Sequence, residues 1–398
     1  MQDYIKKFER LGVGLFVHFG LYSIVGEGEW FLKLGSEVKT DKYEALTKKF
    51  KVNKNWAIDL VKTAKGAGAK YITLTTRHHD GFSLYDTKGL SDYDALHSAA
   101  GRDLIKEFVD ACHAGGLVPF FYHTLLDWQK PEYRLDFPKY IDYLISSIEL
   151  LCTSYGEIGG FWFDGMWDKP NEDWQEDRLY ATIRKHQPNA MIINNTGLSE
   201  QGRVGHPEID SVTFERGKPC FVDNSDKYRA GEMCQILNDH WGYAKNDCNY
   251  KSVKELIGNL IDCRRYNCNF LLNTGLRGNG TVNLTDRGLL SEFGKWIKTN
   301  KNFIYEATAC DITAENAIML KCEDCYYAVI SDVPMSADPN VAKSGALPLV
   351  KVDAEIVDAT WLDSGKKIQV KDNSFITEPF NYGKSLSARV AKLSLKDL

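Results

Sequence analysis

The sequence has 398 residues, of which 43 % are hydrophobic and 26 % are charged, a length that allows one large core and a second, smaller domain. Its 49 Lys and Arg nearly balance its 54 Asp and Glu, which argues against the basic surface of a nucleic-acid-binding protein. No apolar run approaches the ~18 to 20 residues of a membrane span, and no secretory signal is visible. We expect a cytoplasmic protein without nucleic-acid or membrane partners, or a secreted one if a leader was removed. Whether it forms a homo-oligomer is left open.

Short β-type segments alternate with helix-like segments from about residue 11 to about residue 300. Strands are predicted at Val13 to Phe19, Tyr71 to Thr76, Val118 to Tyr122, Phe161 to Phe163, Met191 to Asn194, Ser211 to Phe214, Cys234 to Leu237 and Phe270 to Leu272. Eight alternations over about 250 to 300 residues are typical of a (β/α)8 barrel. The competing fold, an open doubly wound sheet, would need a G-x-G-x-x-G fingerprint after its first strand, and HFGLYSIVGEGEW contains none.

After about residue 305 the pattern changes to short alternating segments such as YYAVIS, AEIVDATWL and ARVAKLSL, separated by Asp, Asn, Gly and Pro. Alternation with a period of two and the loss of helical periodicity predict an antiparallel β-sandwich. The sequence therefore predicts an α/β protein with two domains. These are a catalytic (β/α)8-like barrel over residues 1–304 and a C-terminal β-sandwich over residues 305–398.

Polar side chains gather where the predicted barrel strands end, and the loops at these carboxyl ends form the active sites of (β/α)8 enzymes. Asp164 is the most informative, because it directly follows the apolar segment GGFWF. A carboxylate in that position must be hydrogen-bonded or charge-paired, and such a group is tolerated mainly where its ionisation is used. The other candidates on this edge are His18, Glu29, Trp30, His78, His79, Tyr122, Asn194, Glu215 and Asn273.

The adjacent His78 and His79 allow two interpretations. A metal site is the less favoured one, because neighbouring side chains on an extended strand point to opposite faces. A monosaccharide site fits better, since a ring of hydroxyls with apolar faces needs neutral hydrogen-bonding groups and aromatic walls. Cleaving a glycosidic bond needs two carboxyl groups flanking the anomeric carbon. Asp164 and Glu215, at the ends of strands four and six, are predicted to face one carbon.

Seven segments resemble, in order, the signature stretches of the α-L-fucosidases of glycoside hydrolase family 29. They are FVHFGLYSI, GEGEWF, YITLTTRHHDGFSLYDT, LLDW, GFWFDG, GEMCQILNDHWGY and NFLLNTGLRGNGTV. The resemblance covers about residues 1–300. It implies a catalytic barrel followed by a β-sandwich, and a retaining enzyme that removes terminal α-L-fucosyl residues from glycans without a metal or other cofactor.

The resemblance also implies roles for individual residues. Asp164 matches the nucleophile, and Arg203 corresponds by spacing to an arginine of the pocket. Glu215 is the preferred general acid/base because it lies at a strand end, and Glu232, in GEMC, is the alternative. The positions that match the lining of the fucose pocket are His18, Glu29, Trp30, His78, His79, Tyr122 and Trp162. Two other hypotheses stay open: a fucose-binding protein without catalysis, and a metal-dependent barrel hydrolase.

Overall fold

The computed structural model describes residues 3–35, 40–196, 201–336 and 347–396. Within these residues, eight parallel strands close into a barrel in chain order, with the last strand paired to the first. The strands are β1 Val13–His18, β2 Tyr71–Arg77, β3 Val118–Thr124, β4 Gly160–Asp164, β5 Met191–Asn195, β6 Ser211–Glu215, β7 Ala230–Gln235 and β8 Cys268–Gly275. The predicted (β/α)8 barrel is confirmed.

The barrel strands are apolar because both of their faces are covered. In β1, Val13, Leu15 and Val17 belong to the core between the barrel and its helices, whereas Phe16 belongs to the core inside the barrel. Helix α1 (Asp3–Glu9) closes the amino-terminal end of the barrel with Ile5 and Phe8, which join that inner core. The carboxyl ends of the strands therefore form the open end.

Helices lie around the outside and connect most of the strands, but the described residues form no helix between β5 and β6 or between β6 and β7. The helices are α2 Tyr22–Val25, α3 Phe31–Leu34, α4 Thr40–Glu44, α5 Trp56–Gly66, α6 Leu104–Gly115, α7 Glu132–Leu135, α8 Phe137–Ser154, α9 Glu176–His186, α10 Val253–Arg265 and α11 Leu284–Glu306, with 3-10 turns at Ala45–Lys49 and Met166–Asp168. Asp103 caps the start of α6 by accepting a hydrogen bond from the N–H of Lys106. In the part of the chain that the structure describes, no helix combines the length and apolar character needed to cross a bilayer.

The seventh strand differs from its prediction. The apolar segment Cys234 to Leu237 was expected to form it, but β7 begins four residues earlier, at Ala230. Alternation along the strand turns Glu232 and Cys234 inward, and Cys234 lies in the inner core. Glu232 interrupts the apolar pattern of β7. The more apolar residues at the end of the strand and just after it were therefore predicted as the strand.

The described part of the C-terminal region forms two antiparallel sheets, in the orders β10-β13-β15 and β14-β16-β12-β11-β9. Their strands are β9 Thr308–Ala309, β10 Ala314–Glu315, β11 Ile318–Lys321, β12 Tyr326–Ser331, β13 Leu349–Val352, β14 Ile356–Trp361, β15 Ser374–Ile376 and β16 Ala388–Leu395. A separate core that includes Val350 and Phe375 from one sheet and Trp361 and Leu393 from the other fills the space between them. The predicted β-sandwich is confirmed.

The sandwich packs directly on the barrel through α11. The indole N–H of Trp296 donates to the carbonyl of Ala388 at 3.3 Å, and the rings of Phe303 and Tyr327 lie 6.4 Å apart. Because α11 continues to Glu306, the boundary predicted between residues 304 and 305 falls within its last turn and stays a prediction.

Candidate active site

A pocket opens at the carboxyl ends of the barrel strands. It is lined by Phe16, His18, Trp30, His78, His79, Tyr122, Trp162, Asp164, Trp167, Glu215 and Trp241. All of these except Phe16, Trp167 and Trp241 were predicted as site residues. The barrel therefore brings together side chains that are spread over about half of the sequence.

Asp164 ends β4, and aromatic and histidine side chains surround its carboxylate. The hydroxyl of Tyr122 donates to Oδ2 at 3.0 Å, the indole N–H of Trp167 donates to Oδ1 at 3.1 Å, and Nε2 of His79 lies 3.5 Å from Oδ2. Burial alone raises the pKa of Asp164, but the hydrogen bond and charge of His79, together with the other two donors, outweigh it and lower the pKa below its usual value. The group is therefore held as a carboxylate at neutral pH.

Glu215 ends β6, and its pKa is shifted in the opposite direction. Burial, followed by the negative charge of Asp164, raises the pKa of Glu215 to about 7. Two carboxyl groups in one pocket, one ionised and the other ready to hold a proton, have the arrangement that acid–base chemistry at neutral pH requires.

Asn195 connects the two carboxyl groups. Its Nδ2 donates to Oε2 of Glu215 at 2.6 Å and to Oδ1 of Asp164 at 3.4 Å. The hydroxyl of Thr213 donates to Oδ1 of Asn195 at 3.0 Å, which turns the amide nitrogen towards the carboxyl groups. Because one nitrogen contacts both groups, the two contacted oxygens are separated by no more than the sum of these two distances.

Sequence reasoning named Asn194, not Asn195, at the end of strand five. The structure turns Asn194 outward, where its Nδ2 donates to the hydroxyl of Tyr180 on α9 at 2.9 Å. Met191 and Ile193 lie in the inner core, so alternation places Asn195 on the inner face. Which residues of this strand face inward is known only from the folded barrel, so the sequence alone does not distinguish Asn195 from Asn194.

The pocket histidines are buried and closely packed. The rings of His78 and His79 are 4.2 Å apart, and the ring of His78 stacks on Tyr122 at 5.5 Å. Nδ1 of His79 lies 2.7 Å from the hydroxyl of Thr124. Burial lowers the pKa of His18 to about 3 and also lowers that of His78. Both rings are thus neutral, and each has a hydrogen-bond donor and an acceptor nitrogen.

The argument from alternation against a metal site does not hold for His78 and His79. Strand β2 ends at Arg77, so the two histidines follow the strand and both line the pocket. The strand rule of alternation does not apply to them. Even so, no group of three or more His, Cys, Asp or Glu side chains among the described residues is arranged to hold a metal ion.

Glu29 is buried and is not among the side chains that line the pocket, and its role in sugar binding stays a prediction. Its buried Oε2 accepts a hydrogen bond from the N–H of Gly242 at 2.7 Å, and burial raises its pKa. On the other side of the same loop, Nδ2 of Asn273 donates to the carbonyl of Trp241 at 2.7 Å. Oδ1 of Asn273 lies 2.7 Å from Nδ1 of His18. Glu29 and Asn273 therefore fix the loop that carries Trp241.

Glu232, the alternative acid/base, is enclosed inside the barrel with 1 % of its surface exposed. Oε1 accepts a hydrogen bond from the indole N–H of Trp162 at 2.9 Å, and Oε2 accepts one from the hydroxyl of Tyr71. Burial raises the pKa of Glu232 to about 7. Since both oxygens are occupied and Glu232 does not line the pocket, its geometry is that of a support for Trp162.

We expect Glu232→Gln to lower kcat/KM by about tenfold at most, and equally for every leaving group. Gln has the same shape, can accept from Trp162 and can donate to the hydroxyl of Tyr71, so at most about one hydrogen bond is weakened. Steady-state kinetics with two fucosides of different leaving-group acidity would check this. A loss that grows as the leaving group becomes a poorer acid would instead make Glu232 the proton donor.

Arg203 is not among the side chains that line the pocket. It is exposed and lies in the loop between β5 and β6, part of which, residues 197–200, is outside the described residues. Its charge acts on Glu176 at the start of α9, where it lowers the pKa against the larger effect of burial. The neighbouring Gly202 donates its backbone N–H to the carbonyl of Thr213 on β6 at 2.9 Å. The assignment of Arg203 to the pocket by spacing stays a prediction.

A (β/α)8 barrel with a carboxylate of lowered pKa and a carboxyl group of raised pKa, set among neutral histidines and aromatic rings, has the parts of a glycoside hydrolase active site. Comparison with known proteins makes the class specific. The family model described as α-L-fucosidase matches residues 2–302. The chain therefore belongs to the α-L-fucosidase family of glycoside hydrolases.

Individual relatives agree with this assignment. The plasma α-L-fucosidase of Homo sapiens is 26 % identical over 339 residues, which are 75 % of this chain and 68 % of that protein. The α-L-fucosidase of Dictyostelium discoideum is 24 % identical over 335 residues, covering 75 % of this chain and 70 % of that protein.

The fold is also found in solved structures. α-L-Fucosidase isoenzyme 1 from Paenibacillus thiaminolyticus has a TM-score of 0.87 and 30 % identity, with 99 % of both chains covered. A GH29 α-L-fucosidase from Bacteroides thetaiotaomicron, solved as a trapped covalent intermediate with 2-fluoro-fucosyl fluoride, has a TM-score of 0.83 and 22 % identity and covers 100 % of this chain and 97 % of that one.

Proposed function

We propose that this chain hydrolyses terminal α-L-fucosyl residues of oligosaccharides or glycoconjugates with net retention of configuration, through two displacements. The observation that carries the proposal is the pairing of Asp164 and Glu215 across the amide of Asn195, with their pKa values moved in opposite directions. Retaining enzymes hold their two carboxyl groups ~5 to 5.5 Å apart, and inverting enzymes ~6.5 to 9.5 Å. One amide nitrogen in contact with both groups favours the shorter separation.

In the first displacement, ionised Asp164 attacks the anomeric carbon and forms a bond to it. The bond to the leaving oxygen breaks, and protonated Glu215 gives its proton to that oxygen. In the second, Glu215 removes a proton from water, the water oxygen attacks the anomeric carbon, and the bond to Asp164 breaks. The enzyme returns to its starting state and fucose leaves with its original configuration.

The rest of the pocket suits the sugar. His18 and His78 are neutral, so they can donate to or accept from hydroxyl groups without binding a counter-ion. L-Fucose has a methyl group where most hexoses have a hydroxymethyl group. The rings of Phe16 and Trp162, 5.1 Å apart on the inner wall, offer an apolar surface for that methyl group.

The test is hydrolysis of 4-nitrophenyl α-L-fucoside, followed by proton NMR of the first product formed. We expect nitrophenol release and initial appearance of α-L-fucose, before mutarotation produces the β anomer, because two inversions give net retention. Initial formation of β-L-fucose would establish a single displacement and overturn the mechanism. Binding of fucose without any turnover would instead favour the non-catalytic hypothesis.

A chelator provides the control for the metal-dependent hypothesis. We expect EDTA to leave the rate unchanged, because the proposed chemistry uses only the two carboxyl groups and the histidines serve the sugar hydroxyls. A loss of activity that added divalent metal restores would support the metal hydrolase.

A further inference from the structure

The tryptophans of this protein fall into two groups. All nine lie within the described residues. Five are buried in the cores: Trp56, Trp162, Trp174, Trp296 and Trp361. The four that keep part of their surface exposed are Trp30, Trp128, Trp167 and Trp241. All four are at or beside the mouth of the pocket, and three of them, Trp30, Trp167 and Trp241, are among the side chains that line it. Exposed indole surface is therefore concentrated at one place on the molecule.

Trp30, Trp128 and Trp167 form one cluster, which we call the indole cluster. Trp30 stands edge-on to Trp128 at 5.1 Å and stacks on Trp167 at 5.9 Å with an angle of 21° between the rings. The ring of His79 lies 5.4 Å from Trp128 and 6.0 Å from Trp167. The cluster is thus a packed, rigid surface on one side of the mouth.

The indole cluster is adjacent to the reacting groups. The N–H of Trp167 donates to Asp164 at 3.1 Å, and Trp30 and Trp167 line the pocket together with Glu215. When a terminal sugar fills the pocket, the group attached to its anomeric carbon must leave through the mouth. The leaving group therefore passes against the indole cluster.

We propose that the indole cluster binds the leaving group, and that Trp128 makes the enzyme prefer leaving groups with a flat apolar face, such as a pyranose or an aryl ring. The proposal rests on the proposed function of the same pocket. Indole rings offer a large, rigid apolar face with little loss of conformational entropy, which suits stacking on such rings. A tryptophan that served only the core would be buried, as the other five tryptophans are.

Trp128 is the informative residue because it belongs to the cluster but does not line the pocket. Its backbone N–H donates to the carbonyl of His79 at 2.9 Å, and a substitution of the side chain keeps that bond. Trp167 is unsuitable, since removing its N–H would also change the hydrogen bonding of Asp164.

The experiment compares α-L-fucosyl fluoride, whose leaving group has no ring, with 4-nitrophenyl α-L-fucoside and a fucosyl disaccharide. In Trp128→Ala we expect the ratio of kcat/KM for each ring-bearing substrate to kcat/KM for the fluoride to fall about five- to tenfold. Trp128→Phe should recover most of this ratio because it restores an aromatic face. Tyr382→Ala, on the sandwich with a residue that is 80 % exposed, is the control and should keep the wild-type ratio.

The inhibition constant of L-fucose separates the leaving-group site from the sugar pocket. We expect it to be the same in Trp128→Ala and wild type. An unchanged ratio would show that the cluster does not bind the leaving group, and would overturn the inference. If the inhibition constant of L-fucose also weakened while the ratio stayed unchanged, Trp128 would act on the sugar pocket through His79. If wild type turns over none of the three substrates, the proposed function fails instead.

Discussion

Replacing Asp164 with Asn is expected to lower kcat/KM by about 10⁴-fold, because the amide cannot form the covalent bond to the anomeric carbon. The side chain keeps its shape, and Tyr122 and Trp167 still find acceptor or donor atoms near their present positions. We therefore expect the dissociation constant of L-fucose, measured by calorimetry, to change by only a few-fold. Loss of turnover with retained binding assigns Asp164 to the chemical step.

A second variant at this position separates a nucleophile from a structural residue. In Asp164→Gly, the space vacated by the side chain admits azide, which can attack the anomeric carbon of an activated substrate and yield fucosyl azide of inverted configuration. Asp173→Asn changes an exposed carboxylate in the loop after β4 and should have wild-type activity. Wild-type turnover in Asp164→Asn would remove this residue from the mechanism.

Glu215→Gln should have an effect that depends on the leaving group. A sugar alcohol needs a proton as it departs, so kcat/KM for a fucosyl disaccharide should fall by about 10²- to 10⁴-fold. Nitrophenolate and fluoride leave with little help, so their kcat/KM should change far less. The second displacement also loses its base, and the covalent intermediate should accumulate. We expect a burst of nitrophenol equal to the enzyme concentration.

The same variant should change the pH dependence of kcat/KM. Asp164 must be ionised and its pKa is lowered, so the wild-type rate should fall only at acidic pH below the usual range of an aspartate. Glu215 must be protonated and its pKa is raised to about 7, so the rate should also fall as the pH rises through about 7. Glu215→Gln has no proton to lose there, so the fall in kcat/KM above about pH 7, the basic limb of the pH profile, should disappear in this variant.

Glu232→Gln is the matched control, because burial also raises the pKa of Glu232 to about 7. Its variant should keep the basic limb, since Glu232 bonds to Trp162 and Tyr71 and not to the substrate. If the limb vanished in Glu232→Gln and persisted in Glu215→Gln, the two glutamates would exchange roles.

The barrel was predictable because most of its strands are apolar on both faces and alternate with amphipathic helices. Asp164 and Glu215 were named for a related reason, since each stands at the carboxyl end of a predicted barrel strand. Glu232 shows the limit of this approach. It lies inside β7, where its carboxyl group is bound by Tyr71 and Trp162, and only the folded barrel brings these three residues together.

Asn195, Trp167 and Trp241 were not predicted from the sequence, for two different reasons. Asn195 was missed by one position, because the inner and outer faces of a short strand can be told apart only with its register. Trp167 and Trp241 lie in loops after β4 and β7, where no periodicity relates sequence position to direction. Glu29 and Arg203, which the resemblance placed in the pocket, also lie in loops and are not among the side chains that line it.

The hydrogen bond between His18 and Asn273 joins residues that are 255 positions apart in the chain. His18 ends the first barrel strand and Asn273 lies in the last, and the same asparagine supports Trp241. The ribosome produces the first part of the pocket long before the part that holds it in place. The site is thus complete only when β8 pairs with β1 and closes the barrel. Enzymatic turnover during synthesis or refolding would therefore report the completion of the fold and not its beginning.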